Sequence, residues 1–234
     1  MKSQVLDKGF IEVVDSLGND LTVVNSARVS FGKRKSVWSA ADRRLVKYLA
    51  KYKHYSPFRH LQVQFHIKAP EFVMRQWYKH VVGIETTSNS AAKDHAWNEI
   101  SGRYVPVEDF YKPDVWRKQS EDNKQASEGV LDDLQQKRME DCYNEYMRQV
   151  EMTYDRMIDA GMAKEQARIV LPLSQYTQVW WTASFQSVMN FIELRDEPTS
   201  QVEIQEYARA LKTIMMESFP ETTKLWSEIY LNED

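Results

Sequence analysis

Alternation of apolar and polar residues is clearest in HLQVQFHIKAP, where every second residue from Leu61 to Ala69 is apolar and Pro70 ends the pattern. A period of two places successive side chains on opposite faces of a strand, so this segment is predicted to be a half-buried β-strand. QYTQVWWTAS is also predicted to be extended. GFIEVVDSLGNDLTVVNSA has two β-branched runs around the turn dipeptide Gly18-Asn19, which predicts a strand or hairpin at the start of the fold.

Helical spacing of apolar residues dominates much of the remaining chain. A first helix is predicted after Ser39, because Asp42 completes a capping-box pattern and apolar residues recur at threes and fours over 45–52. The same spacing over 130–158 predicts a long amphipathic helix that Ala160-Gly161 ends. Cys142 lies inside it.

Four further helices are predicted, in EFVMRQWYKHVV, EQAR, FQSVMNFIEL and VEIQEYARALKTIMMESF. Ser184 is the expected cap of the third, and Ser200 with Glu203 forms a capping-box pattern for the fourth, which should end before Pro220. A helix through EFVMRQWYKHVV would place residues 75 and 79, and likewise 76 and 80, on shared faces.

Composition narrows the function classes. With 234 residues and 42% hydrophobic content, the chain suits a single domain over 1–234. The net charge of −3 lacks the positive surplus of a general nucleic-acid binder. One cysteine excludes an intramolecular disulfide, and neither a signal-peptide core nor a membrane-spanning apolar run is evident. We therefore expect a cytoplasmic protein that binds neither nucleic acid nor membrane.

Candidate chemistry centres on NEISGRY (98–104) and on four arginines beside apolar residues, namely Arg75, Arg103, Arg168 and Arg195. A guanidinium forms two parallel, charge-assisted hydrogen bonds with a phosphate. Taken singly, each arginine also fits an ordinary surface ion pair. NEISGRY itself allows two interpretations, in which Ser101 is a nucleophile or the segment binds an anion.

Several blocks together resemble flavin-dependent thymidylate synthases: ARVSF (27–31), SPFRHLQVQFHIKAPEFVMRQWYKH (56–80), WNEISGRY (97–104), EQARIVLPL (165–173) and YTQVWWTASFQSVMNFIELR (176–195). The resemblance implies an α/β (α+β) fold with a mixed sheet and long amphipathic helices. It also implies reductive methylation of dUMP to dTMP, with 5,10-methylenetetrahydrofolate as carbon donor, FAD as cofactor and NADPH as its reductant. A homotetramer with active sites shared between subunits is expected, and no metal.

The resemblance also assigns site residues. The implied dUMP contacts are Gln76, Lys79, Glu99, Ile100, Ser101, Gly102, Arg103, Arg168 and Arg195. The implied FAD contacts are His60, Gln62, Lys79, His80, Val81, Glu99, Ser184, Phe185, Gln186 and Asn190. Arg195 is the implied catalytic residue, a cation beside the pyrimidine. Ser101 then belongs to an anion cradle with Arg103, since no adjacent histidine is evident to activate it as a nucleophile.

One departure from the family pattern affects the flavin contacts. Lys79-His80-Val81 replaces the usual Arg-His-Arg, and an inserted loop at about 83–96 separates this triplet from Ser101. Lys79 and His80 remain able to contact a phosphate or a flavin carbonyl. Lys93 or His95, within the insertion, could replace the missing guanidinium groups.

Two other functions are weighed against this one. A metallohydrolase would have to use His54, His60, His66 and His80, whose spacing forms no known ligand motif. A non-catalytic nucleotide- or RNA-binding protein would use the same arginines but would not need the flavin set. Flavin absorbance of the purified protein distinguishes these alternatives.

Overall fold

The computed structural model describes residues 1–80, 95–106 and 108–231. Its strands are β1 (Lys2–Val5), β2 (Gly9–Leu17), β3 (Gln62–Pro70), β4 (His95–Glu99), β5 (Arg117–Gln119), β6 (Ser127–Val130) and β7 (Tyr176–Ser184). Its α-helices are α1 (Asp20–Arg28), α2 (Ala40–Lys51), α3 (Glu71–Trp77), α4 (Asp133–Asp159), α5 (Lys164–Ala167), α6 (Phe185–Arg195), α7 (Val202–Ser218) and α8 (Pro220–Tyr230).

The main sheet has the strand order β1-β2-β3-β7-β4, and β5 pairs with β6 in a separate hairpin. The predicted combination of helices and strands is confirmed. All pairings between the described strands are antiparallel, however, so the sheet is not the mixed one that was expected. β1 and β2 form a tight hairpin across residues 6–8, whereas the other neighbouring strands are joined through longer connections.

The alternation predicted for β3 is observed, because its odd-numbered residues from Val63 to Ile67 are fully buried while the even-numbered ones are half-buried. Phe65 stacks on Trp181 of β7, and Trp77 of α3 packs on both Trp181 and Phe191. α3 and α6 therefore cover the same face of the sheet. This aromatic cluster belongs to one continuous core.

The sequence predicted a strand or a hairpin in this segment; the strand is confirmed as β2, but no hairpin forms around Gly18-Asn19. β2 ends at Leu17, and Asn19 is the N-cap of α1. The Asn19 side chain accepts a hydrogen bond from the Leu21 amide, and the Thr22 hydroxyl accepts one from the Asn19 amide. Gly18 adopts a φ of 90°, which suits glycine. The Gly18-Asn19 dipeptide, which is typical of turns, therefore marks the start of a helix here.

The predicted helices are present with some changed ends. Ser184 caps α6 by accepting from the Ser187 amide at 3.3 Å. The two predicted capping boxes do not form. The Asp42 amide donates to the Ser39 carbonyl, while the Ser39 hydroxyl donates to the Asp42 carboxylate. Ser200 lies before Gln201, the N-cap of α7, and its hydroxyl donates to the Leu194 carbonyl. α3 ends at Trp77 rather than continuing through 82.

α8 was not predicted, since Pro220 was interpreted only as the end of α7. Proline instead occupies the first position of α8, where its missing amide hydrogen costs nothing. None of the described helices is long and apolar enough to cross a membrane.

Candidate active site

A cavity of about 600 Å³ opens where β4 ends beside the start of β7. Its wall contains the whole segment 99–103 together with Arg168, so six of the predicted nucleotide contacts lie around one space. The other described lining residues are Lys68, Glu71, Val105, Pro106, Glu108, Asp109, Gln175, Tyr176, Thr177 and Gln178.

Strand pairing positions the 99–103 segment. Glu99 lies opposite Val179, and the Ile100 amide donates to the Gln178 carbonyl at 2.9 Å, which extends the pairing by one residue. The chain then turns, with the amides of residues 104 and 105 both donating to the Ser101 carbonyl. Gly102 faces the Arg168 side chain, since a Cβ on this glycine would lie 3.5 Å from Arg168 Cδ.

The Ser101 hydroxyl is oriented by Arg103. It accepts hydrogen bonds from the Arg103 amide at 3.3 Å and from Arg103 Nε at 3.4 Å. A nucleophilic serine needs a base that accepts its proton, and the observed Arg103 contacts are donors instead. The local geometry favours an anion site over a nucleophile.

Acidic groups form another part of the cavity wall. Glu99 accepts a hydrogen bond from the Thr177 hydroxyl at 2.7 Å. Burial raises the pKa of Glu71, and the nearby Glu99 carboxylate raises it further. Lys68 is paired with Asp109 at 2.6 Å. The cavity therefore places arginines and carboxylates around the same space, which suits a ligand with both an anionic group and hydrogen-bond donors.

Arg195 belongs to a second group of side chains. Its Nε donates to His80 Nε2 at 2.8 Å. Burial lowers the pKa of His80 to about 4, with a further contribution from the Arg195 charge. Burial also lowers the pKa of Arg195. Gln76 donates to Gln201 at 2.6 Å, and Lys79 is exposed beyond the end of α3.

The shared faces predicted for α3 do not form, because that helix ends before residues 79 and 80. Its polar side chains instead find partners on the segment after β7, namely Gln201 for Gln76 and Arg195 for His80. Neither Gln76 nor Arg195 is among the described residues that line the cavity.

Six of the predicted flavin contacts form a flavin group near the opposite end of β3 and on α6, which begins there: His60, Gln62, Ser184, Phe185, Gln186 and Asn190. Of the others, Glu99 lines the cavity, and Lys79 and His80 follow α3. His60 is exposed at the end of the short 3-10 helix Ser56–His60, and Gln62 pairs with Ser184 across the strands. Gln186 is buried, and its Oε1 has no hydrogen-bond donor among the residues described. Asn190 is half-buried on α6.

Other residues expected to contact the flavin are less favourably placed or lie outside the described part of the chain. The Phe185 ring is fully buried against Phe58 and Trp226, so it is not available to a ligand. Val81 and Lys93 lie outside the described residues, while His95 begins β4.

The nucleotide and flavin groups are well separated within one chain. β3 and β7 pair in register from Gln62–Ser184 to Pro70–Tyr176. Eight residue steps of about 3.3 Å separate these ends by roughly 26 Å. The flavin group lies near the first pair and the cavity near the second, so each is assembled locally from distant parts of the sequence.

Glu71, Lys68, Asp109 and Gln175 were not singled out from the sequence. Glu71 was not recognised as a site residue, because an acidic residue directly after Pro70 is also typical of the first turn of a helix. Nothing in the sequence pattern links the other three to residues 99–103. For the metallohydrolase alternative, the described residues include no group of three or more His, Cys, Asp or Glu side chains that could hold a metal ion.

Comparison with known proteins adds independent evidence. Residues 12–221 match the family described as "Thymidylate synthase complementing protein". The flavin-dependent thymidylate synthase of Thermus thermophilus is 40% identical over 223 residues, which cover 92% of this chain and 74% of that protein. The enzyme of the same name from Thermosipho melanesiensis is 40% identical over 224 residues, covering 95% and 92%.

A solved structure is also similar. The UMP/dUMP methylase PolB from Streptomyces cacaoi, bound with 5-Br dUMP, superposes with a TM-score of 0.82 at 27% identity, covering 97% of this chain and 98% of that one. Family match, sequence relatives and structure all agree with the blocks found in the sequence. The chain belongs to the family of flavin-dependent thymidylate synthases.

Proposed function

We propose that this chain methylates dUMP to dTMP, with 5,10-methylenetetrahydrofolate as carbon donor, FAD as cofactor and NADPH as reductant. The observation that carries the proposal is the single cavity that unites Glu99–Arg103 with Arg168. The similar PolB structure, that of a UMP/dUMP methylase bound with 5-Br dUMP, supports a pyrimidine nucleotide as ligand. The alternative, a non-catalytic nucleotide- or RNA-binding protein, has no support from these relatives.

In this proposal the 101–103 segment and Arg168 bind the nucleotide phosphate. The Arg103 side chain is exposed beside the Ser101 hydroxyl, and the Arg168 side chain lies against Gly102. Two guanidinium forks and a hydroxyl offer a phosphate dianion several donors in a small space. Glu99 and Glu71 line the same space and are acceptors for hydroxyl groups of the bound nucleotide.

Arg195 acts on the pyrimidine. Its side chain is half-buried, and a fixed cation in such a place stabilises negative charge that develops on the ring. An ionised pyrimidine has greater electron density at C5, where the new carbon–carbon bond forms. The thiol of Cys142 has no part in this scheme, since Cys142 lies on α4 and is not among the described residues that line the cavity.

The residues around the start of β3 fit a flavin. The buried Gln186 Oε1 lacks a donor among the described side chains and backbone groups, and flavin and adenine rings carry N–H donors. His60, Gln62, Ser184, Gln186 and Asn190 would hold the cofactor here, with Lys79 at the first position of the usual triplet. His80, the other expected contact of that triplet, accepts a hydrogen bond from Arg195 instead. When bound, the reduced flavin supplies the hydride that completes the methyl group.

We also propose a homotetramer in which different subunits complete each site. Support comes from the roughly 26 Å between the flavin group and the cavity within one chain, estimated from strand rise. One chain over 1–234 would act as a single domain that contributes one group to each of two sites. A reducing cytoplasm would suit its single free cysteine.

The experiment is to purify the protein, record its absorbance and assay dTMP. We expect a flavin band at about 450 nm, as an oxidised flavoprotein shows. dTMP should form only when dUMP, methylenetetrahydrofolate and NADPH are all present, so omission of each in turn is the control. A protein that binds dUMP but contains no flavin and forms no dTMP after FAD is added would instead be a non-catalytic nucleotide-binding protein.

A further inference from the structure

We propose that His80 is a positioning residue, which fixes the orientation of the Arg195 guanidinium through a hydrogen bond to a neutral imidazole. The inference rests on the proposed role of Arg195 beside the pyrimidine. It assigns a function to the histidine of Lys79-His80-Val81, the one residue that this triplet shares with the usual Arg-His-Arg.

The hydrogen bond defines the protonation state of the imidazole. Arg195 Nε lies 2.8 Å from His80 Nε2, and every guanidinium nitrogen is a donor. His80 Nε2 must therefore be the unprotonated acceptor, which places the ring proton on Nδ1. Burial and the Arg195 charge favour the same neutral form, because they lower the pKa of His80 to about 4.

The imidazole itself is held by the core. Its ring meets Phe191 edge to face at a centroid distance of 5.0 Å, and Phe191 stacks on Trp77 at 4.4 Å. The His80 amide also donates to the Trp77 carbonyl at 2.8 Å. Phe191 and Trp77 are fully buried, so the His80 ring packs on a phenyl ring that the core holds in place.

Arg195 lies four residues after Phe191 and therefore on the same side of α6. The contact with His80 uses Nε and thus fixes the plane of the guanidinium. Only the Nε contact of Arg195 is observed among the described residues, and its two terminal nitrogens have the geometry to donate together to a planar ligand. A guanidinium that is already oriented stabilises developing charge without first reorganising.

Two variants distinguish a positioning role of His80 from a role in packing alone. His80→Phe keeps an aromatic ring but removes the acceptor, whereas the His80→Gln side-chain oxygen can replace Nε2 as acceptor. We expect His80→Phe to lower kcat by about tenfold or more, as a misplaced catalytic group does. The KM for dUMP and the flavin content should change less than about threefold, because neither depends on how Arg195 is oriented in the transition state. His80→Gln should recover most of kcat.

His54→Gln is the matched control, because this exposed histidine follows α2, contacts Tyr48 and is not among the described residues that line the cavity. Its kcat should stay near that of the unmodified enzyme. If His80→Phe does not fold, as its melting temperature would show, His80→Leu takes its place. A kcat of His80→Gln as low as that of His80→Phe, or a loss confined to flavin binding, would overturn the positioning role.

A double-mutant cycle distinguishes this inference from the proposed function. In an Arg195→Ala background, His80→Phe should reduce kcat no further, because the guanidinium that His80 orients is already absent. An undiminished second loss would contradict the inference while leaving the function intact. Absence of dTMP formation by the unmodified protein would instead contradict the proposed function.

Discussion

The Arg103 side chain contacts two neighbouring residues, Ser101 and Tyr104. Its Nε and amide both face the Ser101 hydroxyl, and its guanidinium lies 5.3 Å from the Tyr104 ring centre. No carboxylate forms a salt bridge with it in the part of the chain that the structure describes. The remaining guanidinium nitrogens are therefore available to an anion.

Arg103→Ala should weaken dUMP binding, because it removes a charge-assisted contact with the phosphate. The expected loss is about 1.5 to 3 kcal/mol of binding free energy, measured by calorimetry. Arg148→Ala is a suitable control, since this exposed arginine pairs with Glu145 on the same face of α4. Unchanged affinity in a folded Arg103→Ala protein would remove this arginine from the phosphate site.

Cys142 provides a separate test at this scale. A thymidylate synthase that uses a covalent thiol would lose activity without its cysteine. Here Cys142 lies on α4 and is not among the described residues that line the cavity, so Cys142→Ala should retain flavin-dependent dTMP formation. Because the side chain is exposed, the free energy of unfolding should change by less than about 0.5 kcal/mol. Loss of turnover in a stable Cys142→Ala protein would show that the thiol takes part in the reaction.

At the scale of elements, Asp42 joins the start of α2 to the segment before it. The carboxylate is fully buried and contacts Arg28, Lys35 and Ser39 at 2.5, 2.7 and 2.6 Å. Burial alone would raise its pKa, but hydrogen bonds from these three residues outweigh burial and lower it to about 2. Arg28 belongs to the ARVSF block, so this ion pair orders one of the family segments.

The pH dependence of stability follows from that shift. Because the folded pKa lies below the ordinary value of 3.8, Asp42 stabilises the fold above that value. The contribution should disappear as pH falls from about 4 to 2, and thermal unfolding at several pH values measures it. Asp42→Asn should cost about 3 to 5 kcal/mol at neutral pH, because two cations lose their buried partner.

Asp141→Asn is the control for this prediction, since Asp141 is exposed on α4. Its unfolding free energy should stay within about 0.5 kcal/mol of the unmodified protein. Between about pH 4 and 2, the unmodified protein should lose more stability than the Asp42→Asn protein. If both proteins lose stability equally over this range, the pH dependence does not come from Asp42.

Elements with strong periodicity could be predicted from the sequence, and those that depend on partners could not. β3 was predictable because one of its faces is buried in alternation, and the apolar stripe of α4 indicated its whole length. The capping boxes failed because the Ser39 and Ser200 hydroxyls donate, to the Asp42 carboxylate and the Leu194 carbonyl, and do not accept from a helix amide. β4 has no alternating pattern of its own and is held at the sheet edge by pairing with β7.

The candidate site likewise contains some residues that could be predicted from the sequence and others that could not. The segment 99–103 and Arg168 were recognised from family blocks, and the cavity brings them together. Their partners depend on tertiary placement, which spacing alone does not give. Glu71 meets Glu99 only because β4 lies beside β7, and His80 meets Arg195 only because α3 ends early.

At the scale of the whole molecule, the proposed tetramer predicts that two impaired variants can complement each other when dUMP is kept below saturation. Arg103→Ala disables the cavity group and Arg195→Ala disables the other group, so a mixed oligomer would contain some intact sites. If each site draws these residues from different subunits at random, about one quarter of the sites would be complete. Co-expression with two affinity tags, followed by dTMP assay of the doubly purified protein, measures this fraction.

Each variant expressed alone is the control, and it should show only its own residual activity. Mixed oligomers that are no more active than the average of the two separate variants would place both arginines in the same subunit's site.

The most direct test of the proposed chemistry is anaerobic stopped-flow oxidation of the prereduced enzyme with saturating dUMP and methylenetetrahydrofolate. We predict that the flavin is oxidised as dTMP forms, in equal amounts. Arg195→Ala should slow this step by about a hundredfold or more, because the lost cation acts in the transition state. Ser101→Ala should weaken nucleotide binding but retain the step. Nucleotide-independent oxidation without dTMP, or a step abolished by Ser101→Ala and unaffected by Arg195→Ala, would contradict the proposed roles.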